Sequence, residues 1–335
     1  MKIPAYVRVV MFGAVGALTM GAATSGRGAV LLVANQGDHT LSFVDPDAGK
    51  EIATVDVGGV TGHEVEVSPD GKFAYVPIYG NSGVGAPGTN GSTMSVIDIA
   101  SRKIVGTVDF GHGVRPHKPI YNAATGKLYV TTELDKAITV VDPKTLKIEG
   151  QIPTGAEQSH MLVVSTDGKT GYTSNVRPGS ISVLDMAGHK TIAVIPISNS
   201  IQRISLSPDG RWVFTSDQTQ PRIAMMDRAS NTVKQWIELP AVGYGSAATL
   251  DGKYLLVGMP RAKQLAVVDL ATQQVVHTLD IPGGGQGEIL MRPDGKVAYV
   301  SQYPGHQVAE IDLSTWTVTR TIDVGQRSDG MAWAK

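Results

Sequence analysis

An apolar pair followed by aspartate recurs seven times in this chain. The copies are Phe43-Val44-Asp45, Val96-Ile97-Asp98, Val140-Val141-Asp142, Val183-Leu184-Asp185, Met225-Met226-Asp227, Val267-Val268-Asp269 and Glu310-Ile311-Asp312, the last with Glu in place of one apolar residue. Successive aspartates lie 53, 44, 43, 42, 42 and 43 residues apart. A period near 42 in strand-rich text fits four short strands per repeat, and therefore an all-β, seven-bladed β-propeller with four antiparallel strands per blade.

One repeat shows how the text encodes a blade. Arg203 to Leu206 reads as a first strand and Ser207-Pro208-Asp209-Gly210 as a tight turn, with Pro and Gly where a turn wants them. Arg211 to Ser216 is a second strand and Ile223 to Met226 a third, ended by Asp227; Asn231 to Ile237 is the fourth. The turn returns at Ser68, Ser165, Thr249 and Arg292, and with one extra residue at Asn122. A short acceptor at a strand end bonds nearby backbone N–H groups, so the repeated aspartates are expected to be scaffold.

Closure is also legible. The repeats begin at Ala29 to Ala34 with second-strand text and end on a lone first strand, Gly330-Met331-Ala332-Trp333. Joining the two completes the seventh blade and leaves no open edge. Residues 29–335 are expected to form this single domain.

Residues 1–25 resemble an export signal. Lys2 and Arg8 precede an apolar stretch from Val9 to Met20, and small residues follow at Gly21 to Ser25. The stretch is short for a membrane span, so cleavage near residues 23–28 and a periplasmic or secreted mature chain are expected; an uncleaved anchor is the other reading. With no cysteine, thiolate metal sites, thiol nucleophiles and disulfides are excluded. The 29 basic and 30 acidic residues give no general pull on nucleic acid or an anionic membrane. The expected partners are a small molecule or an envelope protein or peptide, with no nucleic acid, no membrane insertion of the mature chain and a monomeric state.

The second strands Tyr75-Val76-Pro77-Ile78, Tyr129-Val130-Thr131-Thr132, Tyr172-Thr173-Ser174-Asn175 and Tyr299-Val300-Ser301-Gln302, with the Ser-Pro-Asp-Gly turns and the Val-Ile-Asp phrase, resemble the YVTN-repeat (YncE-like) β-propeller family. The resemblance covers nearly all of the chain after the signal. It implies an exported seven-bladed propeller and no single activity. Related propellers include lactonases, copper enzymes with histidine-ringed sites and haem-binding domains.

The repeats differ in one informative column. Five residues before each turn stand His63, His117, His160, Gln202, Tyr244 and Gly287, and the closing strand gives Gly330. Three consecutive blades thus carry His where the innermost strand starts, so these side chains are expected to meet at one channel mouth. Neutral imidazoles are common transition-metal ligands, and three His with an open position suit zinc, copper or iron. The alternative is three channel histidines bonded to water and backbone.

Other residues belong to the same mouth by spacing. Arg115, Lys118, Gln202, Arg203, Tyr244, Tyr79 and Gln302 are candidates for ligand contact, the cations for an anionic group. Glu133 is the acid–base candidate, because its blade also carries His117. Glu64 and Glu288 follow the column directly and are expected to point away by strand alternation. His112 precedes His117 and remains possible; His39, His189, His277 and His306 read as turn or outer-strand residues. The 53-residue gap reflects an insertion over Tyr79 to Thr93, either a lid or a plain surface loop.

Several motifs fail for lack of context. Gly283 to Gly287 precedes no helix, and His63-Glu64-Val65-Glu66 is not a zincin helix. The four tryptophans share no column, which argues against repeated tryptophan docking. The expected function is binding of a metal ion or small polar ligand at the three-histidine mouth, with metalloenzyme chemistry on a small molecule possible. A non-catalytic binding scaffold and a lactonase-like hydrolase are the alternatives.

Overall fold

A computed structural model describes residues 28–284 and 287–335. The expected signal segment lies outside the described residues. Among the described residues twenty-eight strands form seven four-stranded antiparallel sheets. The first blade contains β1 (Val30–Asn35), β2 (Thr40–Asp45) and β3 (Lys50–Asp56), and the second β4 (Glu66–Val67) to β7 (Lys103–Asp109). Later blades begin at β8 (Pro116–Asn122), β12 (Ser159–Val164), β16 (Ile201–Leu206), β20 (Ser246–Ala248) and β24 (Ile289–Met291).

The ring closes as the sequence implied. The last strand, β28 (Ser328–Ala334), pairs with β1 in the order β28-β1-β2-β3, matching Leu31 with Trp333 and Val33 with Met331. The seven inner strands β28, β4, β8, β12, β16, β20 and β24 each touch the next around the axis.

The burial pattern explains the strand texts. Second and third strands pack between blades and are buried along nearly their whole length, with hydroxyl residues at their inner ends; fourth strands alternate exposed and half-buried positions, as an outer edge must. Tyr75, Tyr129, Tyr172 and Tyr299, which open the second-strand signature, are fully buried between blades. Burial of each such side chain stabilises the ring by about 1.5–3 kcal/mol.

All seven repeated aspartates cap the turn after the third strand. Asp45 Oδ1 accepts from the N–H of Asp47 and Ala48, both at 2.9 Å, and Asp142 Oδ1 accepts from Lys144 and Thr145 at 2.8 and 3.0 Å. Asp98, Asp185, Asp227, Asp269 and Asp312 make the equivalent bonds.

Inner strands slip where they enter the channel. The ladder loses register between Pro116 and Pro119, between Ser159 and Met161, and between Ile201 and Ile204. Signature hydroxyls on the second strands bond the backbone groups freed by the slip: Lys118 N–H donates to Thr131 Oγ1 at 2.8 Å, and Thr215 Oγ1 donates to the Arg203 carbonyl at 2.8 Å. In the blades of β8 and β16 two consecutive residues, His117–Lys118 and Gln202–Arg203, thereby reach the channel.

Candidate functional site

The variable column forms one ring. His63, His117, His160, Gln202, Tyr244, Gly287 and Asp329 line a single cavity of about 590 Å³. The closing blade corrects the sequence reading. The pairing of Asn35 with Ser328 makes Asp329, not Gly330, the seventh column residue, because the register slips at that point. Gly330 instead passes its N–H to the His63 carbonyl at 2.9 Å, where a Cβ would collide with Glu64 and His63 backbone.

The three histidines meet. Ring centroids of His63 and His117 lie 5.0 Å apart, and those of His117 and His160 3.7 Å. Tyr79 stands against all three at 4.7, 5.4 and 6.2 Å. His117 and His160 are only 1% and 4% exposed, and the Nδ1 atom of each is buried with no hydrogen-bond partner. Gln36 Nε2 lies 3.1 Å from His63 Nδ1 and also donates to Asp329 at 2.5 Å. Burial is the main cause that drives all three imidazoles to the neutral form: His63 down to about 4, His160 to about 3, His117 well below 6.5. At His63 the positive charges of Arg203 and Arg327 add to this.

A buried ionic layer closes the channel beneath this ring. Lys118 Nζ reaches Glu64 at 2.8 Å and Glu288 at 3.0 Å, while Arg203 reaches Glu64 at 3.1 Å and Asp329 at 2.5 Å. Glu64 and Glu288 therefore do not point away from the axis; the slipped ladder breaks the alternation on which that expectation rested. Burial raises the Asp329 carboxyl to about 7 against the opposing pull of Arg203, and raises Glu288 as well. Desolvation works against the charge on Glu64, but Lys118 and Arg203 outweigh it and hold that carboxyl low. Glu66, which accepts from the Tyr121 N–H at 3.4 Å, is pushed up to about 7 by burial.

The insertion roofs part of the cavity. Gly80 to Val84 line it beside Tyr79. Arg115 grips the loop through Asn90 Oδ1 at 2.8 Å and the Gly83 and Ala86 carbonyls at 3.2 and 2.8 Å. Glu133 accepts from Gly85 N–H at 2.9 Å, from Arg115 at 3.4 Å and from the Tyr79 hydroxyl. Arg115 and Glu133 thus hold the roof and orient Tyr79 rather than line the cavity themselves. Lys118 and Gln302 also lie outside the lining, Lys118 in the ionic layer and Gln302 buried with its Nε2 unpartnered. Gln202, Arg203, Tyr244 and Tyr79 do line the cavity.

Sequence reading did not single out Gln36, His39 and Arg327, which line the cavity together with Tyr303. His39, read as an ordinary turn residue, accepts the Thr61 N–H on Nδ1 at 3.1 Å. Gln36 stands in the repeat column of Tyr79 and Glu133, Arg327 in that of Thr61 and Arg115, and His39 in that of Lys136 and Lys263, but the residue types differ from blade to blade, so no repeated chemistry marks them. His112 stays away, exposed and 2.8 Å from Asp135.

Two imidazoles sharing a zinc ion at about 2.0–2.1 Å set their centroids roughly 4.5–5.2 Å apart. His63 and His117 match that spacing; His117 and His160 are closer by about 1 Å. Among the described residues no three His, Cys, Asp or Glu side chains are spaced to hold an ion as they stand. The bare, neutral Nδ1 atoms of His117 and His160 supply the donor chemistry for such an ion.

A family model described as lactonase, 7-bladed beta-propeller, matches residues 25–235. The chain belongs to the seven-bladed β-propeller lactonase family. No curated protein matches it. Among solved structures it is similar to Kuenenia stuttgartiensis hydrazine synthase, at 21% identity over 85% of this chain and 92% of that one, with a TM-score of 0.72. It is also similar to the dihydro-heme d1 dehydrogenase NirN in complex with DHE, at 15% identity over 90% and 74% of the two chains, with a TM-score of 0.68. At these identities the likeness shows the fold.

Proposed function

We propose that this propeller, exported and of the YVTN-repeat type, binds a divalent transition-metal ion through His63, His117 and His160 and presents it to a small molecule in the cavity. One observation carries the reading. Two buried, neutral imidazoles each leave a ring nitrogen without a partner beside a third. An unpaired buried acceptor costs about 1–3 kcal/mol, which a bound ion or donor would recover. The cavity volume falls in the range of small-molecule sites. Copper, zinc and iron all accept such ligands.

The test is metal content after growth without chelating tags. Wild type is expected to hold about one equivalent, and the variant with all three His replaced by Ala well under a tenth of that. Equal content in both proteins would end the metal reading and leave a small polar ligand bonded directly by the imidazoles.

Family membership favours a second reading, hydrolysis of a cyclic ester in the same cavity. Asp329, with a carboxyl near neutrality, is suited to accept a proton there. A panel of aliphatic and sugar lactones tests it, with Asp329→Asn expected to abolish any turnover found.

A further inference from the structure

The charges that face the cavity do not balance. Among the described lining residues only Arg203, Asp329 and Arg327 carry formal charge. Arg203 is matched by the Glu64 carboxylate at 3.1 Å and also reaches Asp329 at 2.5 Å. In the layer below, Lys118 and Arg203 are surrounded by carboxylates, so no positive charge is left over there. Arg327 is different. No carboxylate pairs with it among the described residues, and its guanidinium rests on Tyr303, whose hydroxyl accepts from Nη2 and whose ring centroid lies 5.2 Å from the guanidinium carbon. Its charge is felt inside, since it helps hold His63 neutral. A guanidinium fixed on an aromatic ring keeps a free fork of N–H donors, and that fork matches a planar carboxylate.

We propose that the ligand of this cavity is a small organic carboxylate, its carboxylate held by Arg327 beside the Tyr303 hydroxyl and its polar end directed to the three histidines. The inference rests on the reading of this cavity as a ligand site and names the class of molecule it takes. One unpaired guanidinium with one phenol suits a single negative charge. A phosphate dianion would need more donors than this rim supplies. The insertion adds none with charge, since Gly80 to Val84 carries only amide, hydroxyl and backbone groups to the cavity.

Calorimetric titration of the full mature chain tests this, with gluconate and L-lactate as monocarboxylates, glucose as the neutral counterpart of gluconate, and inorganic phosphate as the competing oxyanion. Each is titrated into metal-free and zinc-treated protein. At least one carboxylate is expected to bind ten or more times tighter than glucose and phosphate. Arg327→Gln is expected to weaken it at least tenfold and Tyr303→Phe about threefold, with unfolding midpoints unchanged, because the exposed Arg327 side chain bonds only Tyr303. No carboxylate binding, a preference for glucose or phosphate, or an unchanged affinity in Arg327→Gln would overturn the proposal. Metal content of the triple-histidine variant is read separately. If that variant keeps its metal while Arg327→Gln loses the carboxylate, the metal reading falls and this one stands.

Discussion

Two seven-membered columns run around this ring, and they behave in opposite ways. The outer column is seven aspartates, each accepting backbone N–H groups in the turn that follows it. The inner column is His, His, His, Gln, Tyr, Gly and Asp, all facing one cavity, with two ring nitrogens left bare. Sevenfold sameness goes with local satisfaction, which is what a scaffold needs. Departure from sameness goes with unspent bonding capacity, which a ligand can use.

The sharpest way to break the comparison is to break the ring that supports both columns. Removal of the residues after Gly325 deletes β28 and exposes the length of β1 as an unpaired edge. It also strips Leu31, Val33, Tyr299 and Val308 of Met331, which they bury. The shortened chain is expected to aggregate, or to lose its unfolding midpoint by more than roughly 10 °C. A midpoint within two degrees of wild type would mean that the aspartate turns and inter-blade packing hold without closure.

The two columns were also unequally legible. Blade number, strand order, the closing strand and the meeting of His63, His117 and His160 all follow from periodic text, because each repeat is one copy of the same unit. The errors gather where the ladder slips. A shift of one residue moved the column from Asp329 to Gly330 and turned Glu64 and Glu288 outward, though both carboxylates sit in the channel. A signal for the slip was present in Thr131 and Thr215, whose hydroxyls bond the displaced strand. Gln36 and Tyr303 share the repeat column of Tyr79 and Glu133, and Arg327 that of Thr61 and Arg115, as the equivalent bonds from Gln36 to Arg327, Tyr79 to Thr61 and Glu133 to Arg115 show; the residue type changes in every blade, so no repeated chemistry marks Gln36 and Arg327 in the text.

Titration separates the columns next. The Asp329 carboxyl stands near 7 in the folded ring against an ordinary 3.8, chiefly through burial. The folded protein therefore keeps a proton that the unfolded chain releases from about pH 4 upward. The stability this adds is complete below about pH 4 and is lost as pH rises through 7. Arg203, Glu64, Glu288, His63 and Gln36 surround the group, and the depressed histidines run the other way, their contribution present above 6.5 and lost as pH falls toward 3–4. Asp329→Asn removes only the first effect. The variant's stability relative to wild type is expected to climb between pH 4 and 7 by up to about 1.4 kcal/mol per pH unit and then level off. A difference that stays flat across that range would show that Asp329 is ionised throughout.

The smallest effects make the finest comparison, because the columns should respond with opposite signs. Asp227→Ala removes the acceptor for the Ser230 N–H in an exposed turn. It is expected to lower the unfolding midpoint by about 1–3 °C and to leave metal and ligand binding untouched. His160→Met replaces a buried ring with an unpartnered nitrogen by an apolar chain of similar length. Taking away an unsatisfied buried acceptor is neutral or stabilising by about 1 kcal/mol, so the midpoint is expected to hold or rise while binding is lost. Such a trade is the mark of a site kept for function at some cost in stability. If His160→Met instead falls in midpoint as far as Asp227→Ala and binding survives, the inner column is scaffold too, and its three histidines are packing.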